Sequence, residues 1–323
     1  MRKESYTAAS AFPVKVFFNK ELMESLTERK IIPPIHVQLN PTNRCNLNCS
    51  FCSCSARDKS IEMPFEKIIE TMRKFKELGC KSTTLTGGGE VLMHSNVNVL
   101  IWAIHEMGIE IGLVTNGILL DKLSNKALNC LVWCRVSLGD HRKFEEIEAP
   151  LKRAVKRGKK VDFAFSYVVG EVPNLLLIQK MVEFANEHDF THVRLVNDIF
   201  IADKLGDQME AIKNCFKDLG IDDSKVIYQD RGTWTRGSEK CWISLLKPVI
   251  DAGGNLRPCC GSQYMFKNPK HDYEGEMGSV EEIEEIWASQ RHFDGSQCDK
   301  CYYSHYNELM DILLGNVKHQ KFV

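Results

Sequence analysis

His36-Val37-Gln38-Leu39-Asn40-Pro41-Thr42-Asn43-Arg44-Cys45-Asn46-Leu47-Asn48-Cys49-Ser50-Phe51-Cys52 joins a short β-rich run to a loop with the cysteine spacing C-x3-C-x2-C. The run at 36–40 reads as a strand, and the loop begins where it ends. Further β-rich runs stand at 83–86, 109–115, 132–138, 161–169 and 192–196. Helical patterns lie between them. Residues 65–78 place Ile68, Ile69, Met72 and Phe75 at helical spacing, with Gly79 as the stop. Patterns at 97–107, 121–130, 143–156, 175–188 and 203–219 continue the alternation. Strands alternating with helices imply a parallel sheet with right-handed crossovers. The pattern alone leaves open a partial barrel or an open doubly wound sheet.

The chain has 323 residues, 43% hydrophobic and 26% charged, which excludes disorder, collagen and coiled coil. A chain of this length buries a core without metal staples, so a metal here is expected to be chemical rather than structural. Lys plus Arg is 42 and Asp plus Glu is 43, so no global charge recruits nucleic acid or anionic membrane. No apolar stretch is long enough to span a bilayer, and residues 1–20 lack a signal-peptide pattern, so a cytoplasmic location is expected. The 13 cysteines are too few and too unevenly placed for a disulfide scaffold. Cys80, Cys130, Cys134 and Cys215 read as core, as do Trp102 and Phe75 on apolar helix faces.

Thiolates at 45, 49 and 52 can hold three irons of a cubane cluster and leave the fourth iron open to a small molecule. Cys54 as a fourth ligand would instead make a zinc site. The spacing, with an aromatic just before the last cysteine, resembles the signature of the radical S-adenosylmethionine (SAM) superfamily. The resemblance extends over about residues 35–200. It implies that Cys45, Cys49 and Cys52 ligate a [4Fe-4S] cluster, that SAM chelates the open iron, and that Phe51 lies near the adenine. The implied fold is α/β, a partial (β/α)6 TIM-like barrel with its site at the C-terminal strand ends.

Thr86-Gly87-Gly88-Gly89-Glu90 follows the second strand and resembles the family's motif that holds the SAM amino group; Val91 departs from the usual proline. Asn116 ends the third strand and Ser137 the fourth. The resemblance makes Ser137, with Asp140 and Arg142 nearby, the candidate for the SAM ribose or carboxylate. Arg194 is a candidate for a carboxylate, with a surface position as the alternative, and Val196 for the adenine.

From about residue 231 the β/α rhythm gives way to Gly, Cys and turn residues. Cys241, Cys259, Cys298 and Cys301, with Gly254 between the first two, resemble the twitch domain, the shortened SPASM form appended to radical SAM enzymes. The resemblance implies one fully ligated auxiliary [4Fe-4S] cluster in a small Cys-rich α+β domain. The expected organisation is a helical lead-in at 1–34, the barrel at 35–230 and the twitch-like domain with a C-terminal helix at 231–323. Cys54 and Cys260 are candidate hydrogen-atom donors, with inert packing as the alternative. Tyr302, Tyr303, His305 and Tyr306 read as packing around the cluster, and the basic run at 152–160 as a solvated helix face.

The resemblance implies an oxidoreductase or isomerase. A reductant such as flavodoxin or ferredoxin supplies one electron, SAM yields a 5′-deoxyadenosyl radical, and that radical takes a hydrogen atom from a substrate C–H. The short lead-in points away from peptide and toward a small-molecule or nucleoside-like substrate, with DNA a minor alternative. The rivals are a peptide-modifying maturase, a methylating or sulfur-inserting enzyme, and a zinc-binding interaction protein.

Overall fold

In the computed structural model of the chain, residues 13–230, 235–261, 275–315 and 318 are described. Six of the strands lie where the sequence pattern places them: β1 (His36–Leu39), β2 (Ser82–Leu85), β3 (Glu110–Thr115), β4 (Leu131–Gly139), β5 (Asp162–Val169) and β6 (His192–Asn197). They pair in chain order, each parallel to the next. A seventh strand, β7 (Val226–Gln229), extends the run beyond β6. It escapes the sequence reading because only Val226 and Ile227 of its four residues are buried. The result is the partial (β/α) barrel, a mostly parallel sheet with helices on its outer face.

The helices bury one stripe each against that sheet. After a short α1 (Lys20–Glu24), α2 (Phe65–Glu77) buries Ile68, Met72 and Phe75, and α3 (Val97–Glu106) buries Leu100, Ile101 and Ile104. Where one helix was expected at 121–130, a 3-10 turn at Leu120–Lys122 is followed by α4 (Asn125–Leu128). Ser124 causes the break, since its hydroxyl accepts from Ala127 N and starts a new helix. Next come α5 (Glu145–Arg157), α6 (Leu175–Glu187) and α7 (Gln208–Asp218). The last starts later than the pattern suggests, behind Gly206 at φ 49°. Trp102, expected in the core, is instead partly exposed, with the Lys126 ammonium 3.8 Å from its ring centre.

Of the lead-in, the described residues form short turns of 3-10, α and π type between Val14 and Arg29. Beyond β7, a short α8 (Ile243–Leu246) leads to β8 (Val249–Ile250), which pairs parallel to β1 on its free edge. β9 (Asn255–Arg257) and β10 (Gly278–Ser279) add antiparallel strands outside it. α9 (Ile283–Ala288) and α10 (Ser304–Leu314) complete the described elements. The cysteine-rich C-terminal part therefore continues the barrel sheet. It is also held by packing: Trp287 of α9 meets Phe75 of α2 edge-on, with ring centroids 5.2 Å apart.

Phe75 is fully buried at this junction. Phe75→Ala is expected to cost about 3–5 kcal/mol of unfolding free energy in a denaturant titration, as large-to-small changes in closed cores do, and to shift the Trp287 fluorescence of the folded state.

Candidate active site

The loop leaving β1 carries Cys45, Cys49 and Cys52 and is clasped to the loop leaving β2. Gly89 N donates to Thr42 O at 2.8 Å, and Glu90 N donates to Arg44 O at 2.8 Å. A side-chain carbon at Gly89 would stand 2.1 Å from Arg44 O, and one at Gly88 would stand 1.9 Å from Asn43 Oδ1. Only glycine lets the two backbones come this close. Within the cysteine loop, Cys52 N donates to Cys49 O at 3.1 Å, and Arg57 donates through Nε to Asn43 O and through Nη1 to Cys52 Sγ at 3.4 Å. Burial pushes the Cys49 thiol up to about 11, and the neighbouring Cys52 and Cys45 add to the shift. Cys54 is buried beside them, its Sγ 3.7 Å from Gly87 O.

Glu90 is buried behind the clasp and ties the ends of β2 and β3 together. Its carboxylate accepts from Leu92 N at 3.1 Å, Thr115 Oγ1 at 2.7 Å and Asn116 N at 2.7 Å. Burial raises its pKa, and these donors oppose the rise. Asn116 in turn donates through Nδ2 to Asn46 Oδ1 at 2.7 Å. Arg142, also buried, donates to Glu146 Oε2 at 2.6 Å and to Asn116 O at 3.3 Å. Its Nη2 has no hydrogen-bond partner among the described residues. Phe51 lies on Gly139 at the end of β4; a side-chain carbon there would stand 2.1 Å from Phe51 Cε1. Ser137 sits two residues inside that strand end and is in register with Ser166, which is in register with Arg194. Val196 is buried near the end of β6.

The second cysteine group forms around three backbone links. Cys241 N donates to Phe293 O at 3.0 Å, Gly237 N to Cys298 O at 2.9 Å, and Cys301 N to Thr235 O at 2.7 Å. Burial pushes Cys241 up to about 12 and Cys298 up to about 11; Cys301 adds to both shifts. A side-chain carbon at Gly261 would stand 3.3 Å from Cys259 Sγ and 3.6 Å from the Tyr302 ring, which puts Cys259 beside the residue that follows Cys301. Among the described residues, no group of three or more His, Cys, Asp or Glu side chains is arranged to hold a single metal ion. The sulfur donors of both groups are soft, the type that suits iron–sulfur ligation.

A cavity of about 630 Å³ lies inside the barrel and reaches the N-terminal strand ends, where Lys15, His36, Lys81 and Glu110 line it. It runs from Thr86, next to the glycine loop, to Cys260, next to Cys259. Its walls are the inward side chains of the strands, including Gln38, Thr84, Arg135, His192, Arg194 and Gln229, together with Lys247 and Tyr302, Tyr303 and Tyr306. Arg194 thus faces the interior, not solvent, and its Nη2 donates to Ser166 Oγ at 3.0 Å. The three tyrosines, read from the sequence as packing, line the cavity. Cys260 Sγ lies 3.2 Å from Tyr303 OH. Arg135, His192, Gln229 and Lys247 were missed as site residues. The signal for Arg135 was present, since it stands two residues before Ser137 and so shares its face of β4. The basic run lies on α5, where Lys152 pairs with Glu148 and Arg153 with Asp121.

The structure joins a three-cysteine loop after β1 to a glycine-rich loop after β2 on a parallel partial barrel. Residues 39–139 match the family profile described as Radical SAM superfamily. A probable GTP 3′,8-cyclase of Archaeoglobus fulgidus is 34% identical over 96 residues, 29% of this chain and 32% of that protein. A GTP 3′,8-cyclase of Staphylococcus aureus is 30% identical over 169 residues, 48% of this chain and 49% of that protein. The chain thus matches about half, or less, of the length of these curated relatives. Streptococcus suis SuiB bound to S-adenosylmethionine superposes with a TM-score of 0.60 over 87% of this chain and 72% of its own, at 16% identity. The anSMEcpe structure with AdoMet and Cp18Cys peptide superposes with a TM-score of 0.54 over 90% and 86%, at 14% identity. These two likenesses are likenesses of fold.

His192, on the cavity wall, is held neutral: burial, then the charges of Arg135, Arg194 and Lys15, push it down to about 3. Below about pH 6.5 the unfolded chain takes up a proton that the folded chamber refuses, so stability falls as pH drops from about 6.5 toward 3. His192→Gln removes that loss. Urea midpoints of the two proteins are expected to converge at pH 7.5 and diverge by pH 5, wild type losing up to about 1.4 kcal/mol more per pH unit.

Proposed function

We propose that the protein is a radical SAM enzyme that takes a hydrogen atom from a C–H of a small-molecule or nucleoside-like substrate, leading to oxidation or rearrangement. The observation that carries this reading is the three-cysteine loop after β1, clasped to the glycine-rich loop after β2. Cys45, Cys49 and Cys52 would hold a [4Fe-4S] cluster. With SAM bound, that group would supply the one-electron reductive chemistry that cleaves the sulfonium.

The chain's own residues bind and orient. The Gly87–Gly89 backbone and Glu90 offer acceptors to the SAM amino group, since Glu90 Oε2 accepts one internal bond and keeps lone-pair capacity for another. The Nη2 hydrogens of Arg142 are placed for the SAM carboxylate, and their burial makes such a bond worth more than it would be in water. Ser137 and Asn116 would meet the ribose, and Phe51 and Val196 the adenine. The buried barrel walls exclude water and competing hydrogen donors.

Cys241, Cys259, Cys298 and Cys301 would hold an auxiliary [4Fe-4S] cluster in a twitch-like domain beginning near residue 231. Cys260 and Cys54, beside the two groups, are the candidate hydrogen-atom donors. The GTP 3′,8-cyclase relatives support a nucleotide-like substrate for this chain and a rearranging outcome. The external partner is a one-electron reductant such as flavodoxin or ferredoxin. No helix among the described residues is long and apolar enough to cross a membrane.

Two measurements test the reading. Anaerobically reconstituted protein with dithionite and SAM is expected to release 5′-deoxyadenosine, and Cys45→Ala, Cys49→Ala or Cys52→Ala to lower that release to background; persistence in any one removes that residue from the ligand set. The double variant Cys298→Ala/Cys301→Ala is expected to lose roughly half of the iron and sulfide while still cleaving SAM, as one of two four-iron clusters is lost. Unchanged iron content would refute the auxiliary site.

A further inference from the structure

The barrel cavity concentrates positive charge in a way that neither the fold nor the cluster chemistry requires. Arg135 comes from the middle of β4, Arg194 from the middle of β6, and Lys247 from the segment between α8 and β8. The strand register keeps the space between the two arginines open. Arg135 is in register with Ala164, and Arg194 with Ser166, so the β5 positions between them carry small side chains. The cations bear on one another: Arg135 and Arg194 both disfavour the charge on Lys247 and on His192. Of the acidic side chains on the cavity wall, Glu110 opens β3, and Asp162 opens β5 two residues before Ala164, the register partner of Arg135.

Packing like charges into one low-dielectric chamber costs stability, and such a cost is retained where function needs it. An anion bound among these groups would reverse the sign of the interaction. The chamber also presents an acceptor. Gln229 Oε1 is buried on its wall and has no hydrogen-bond partner among the described residues, so it suits a ligand hydroxyl or amine. The lining tyrosines offer flat apolar area beside the charges.

We infer that the chamber takes a small substrate carrying an oxyanion, a phosphate or a carboxylate, held by Arg135, Arg194 and Lys247, with a polar group of the same molecule donating to Gln229. This rests on the proposed function in one respect: it takes the barrel interior as the substrate chamber. A planar guanidinium grips either kind of oxyanion through paired N–H donors, so the two sources share one chemistry.

Binding is measured by calorimetry on the full-length reconstituted protein, separately from SAM cleavage. The probes are GTP and inorganic phosphate for the phosphate source, malonate for the carboxylate source, and guanosine as the uncharged control. At least one anionic probe is expected to bind saturably and more tightly than guanosine. Its affinity is expected to fall at least tenfold in Arg135→Gln and in Arg194→Gln, and less in the matching Lys variants, which keep the charge but lose the paired donors. Lys247→Gln, at the rim of the strand scaffold, gives an independent loss should an arginine variant fail to fold by circular dichroism. The inference is overturned if no anionic probe binds, if guanosine binds as well as GTP, or if folded variants keep native affinity. SAM cleavage without anion binding refutes the chamber assignment alone. Anion binding without any SAM cleavage refutes the radical chemistry and leaves the anion site standing.

Discussion

Two backbone hydrogen bonds, Gly89 N to Thr42 O and Glu90 N to Arg44 O, join the loop after β1 to the loop after β2, and the site is built on that join. A loop of three cysteines has little reason to hold one shape by itself, because buried thiols resist ionisation and bring no strong hydrogen bonds of their own. The clasp gives the loop a rigid neighbour. A β-carbon at Gly89 would stand 2.1 Å from Arg44 O, so that glycine is required by the approach of the chains as well as by any ligand.

Glu90 extends the join sideways. With the backbone N–H of Asn116 and the hydroxyl of Thr115 on its carboxylate, it links the end of β2 to the end of β3. Asn116 passes the link back to Asn46 of the cysteine loop and forward to Arg142. The polar groups at three strand ends thus form one connected network, in which each member satisfies another. Such networks specify geometry when complete. Arg142 Nη2, buried and without a hydrogen-bond partner among the described residues, leaves the network a donor for an outside acceptor.

Below this network the chamber follows a different logic. Strand alternation turns Gln38, Thr84, Arg135 and Arg194 inward, so the barrel interior is polar where the outer, helix-facing side of the same strands is aliphatic. Lys247, just before β8, and Cys260, beyond β9, reach the chamber wall from the C-terminal part, whose strand β8 pairs with β1.

The sequence by itself determined the parallel β/α order, the boundaries of the long helices and the two cysteine groups, because helical and strand periodicity and close cysteine spacing are local properties of the chain. It also displayed the glycine motif. It did not display β7 or the pairing of β8 with β1, since strands of four and two residues carry too little pattern to register. Nor did it place Arg135, Arg194, His192, Gln229 and Lys247 around one cavity. Those residues are scattered over more than a hundred positions, and a lone arginine on a strand reads the same whether it faces solvent or a lumen. Only strand register and the curvature of the sheet decide which, and both are set by contacts between segments distant in the chain.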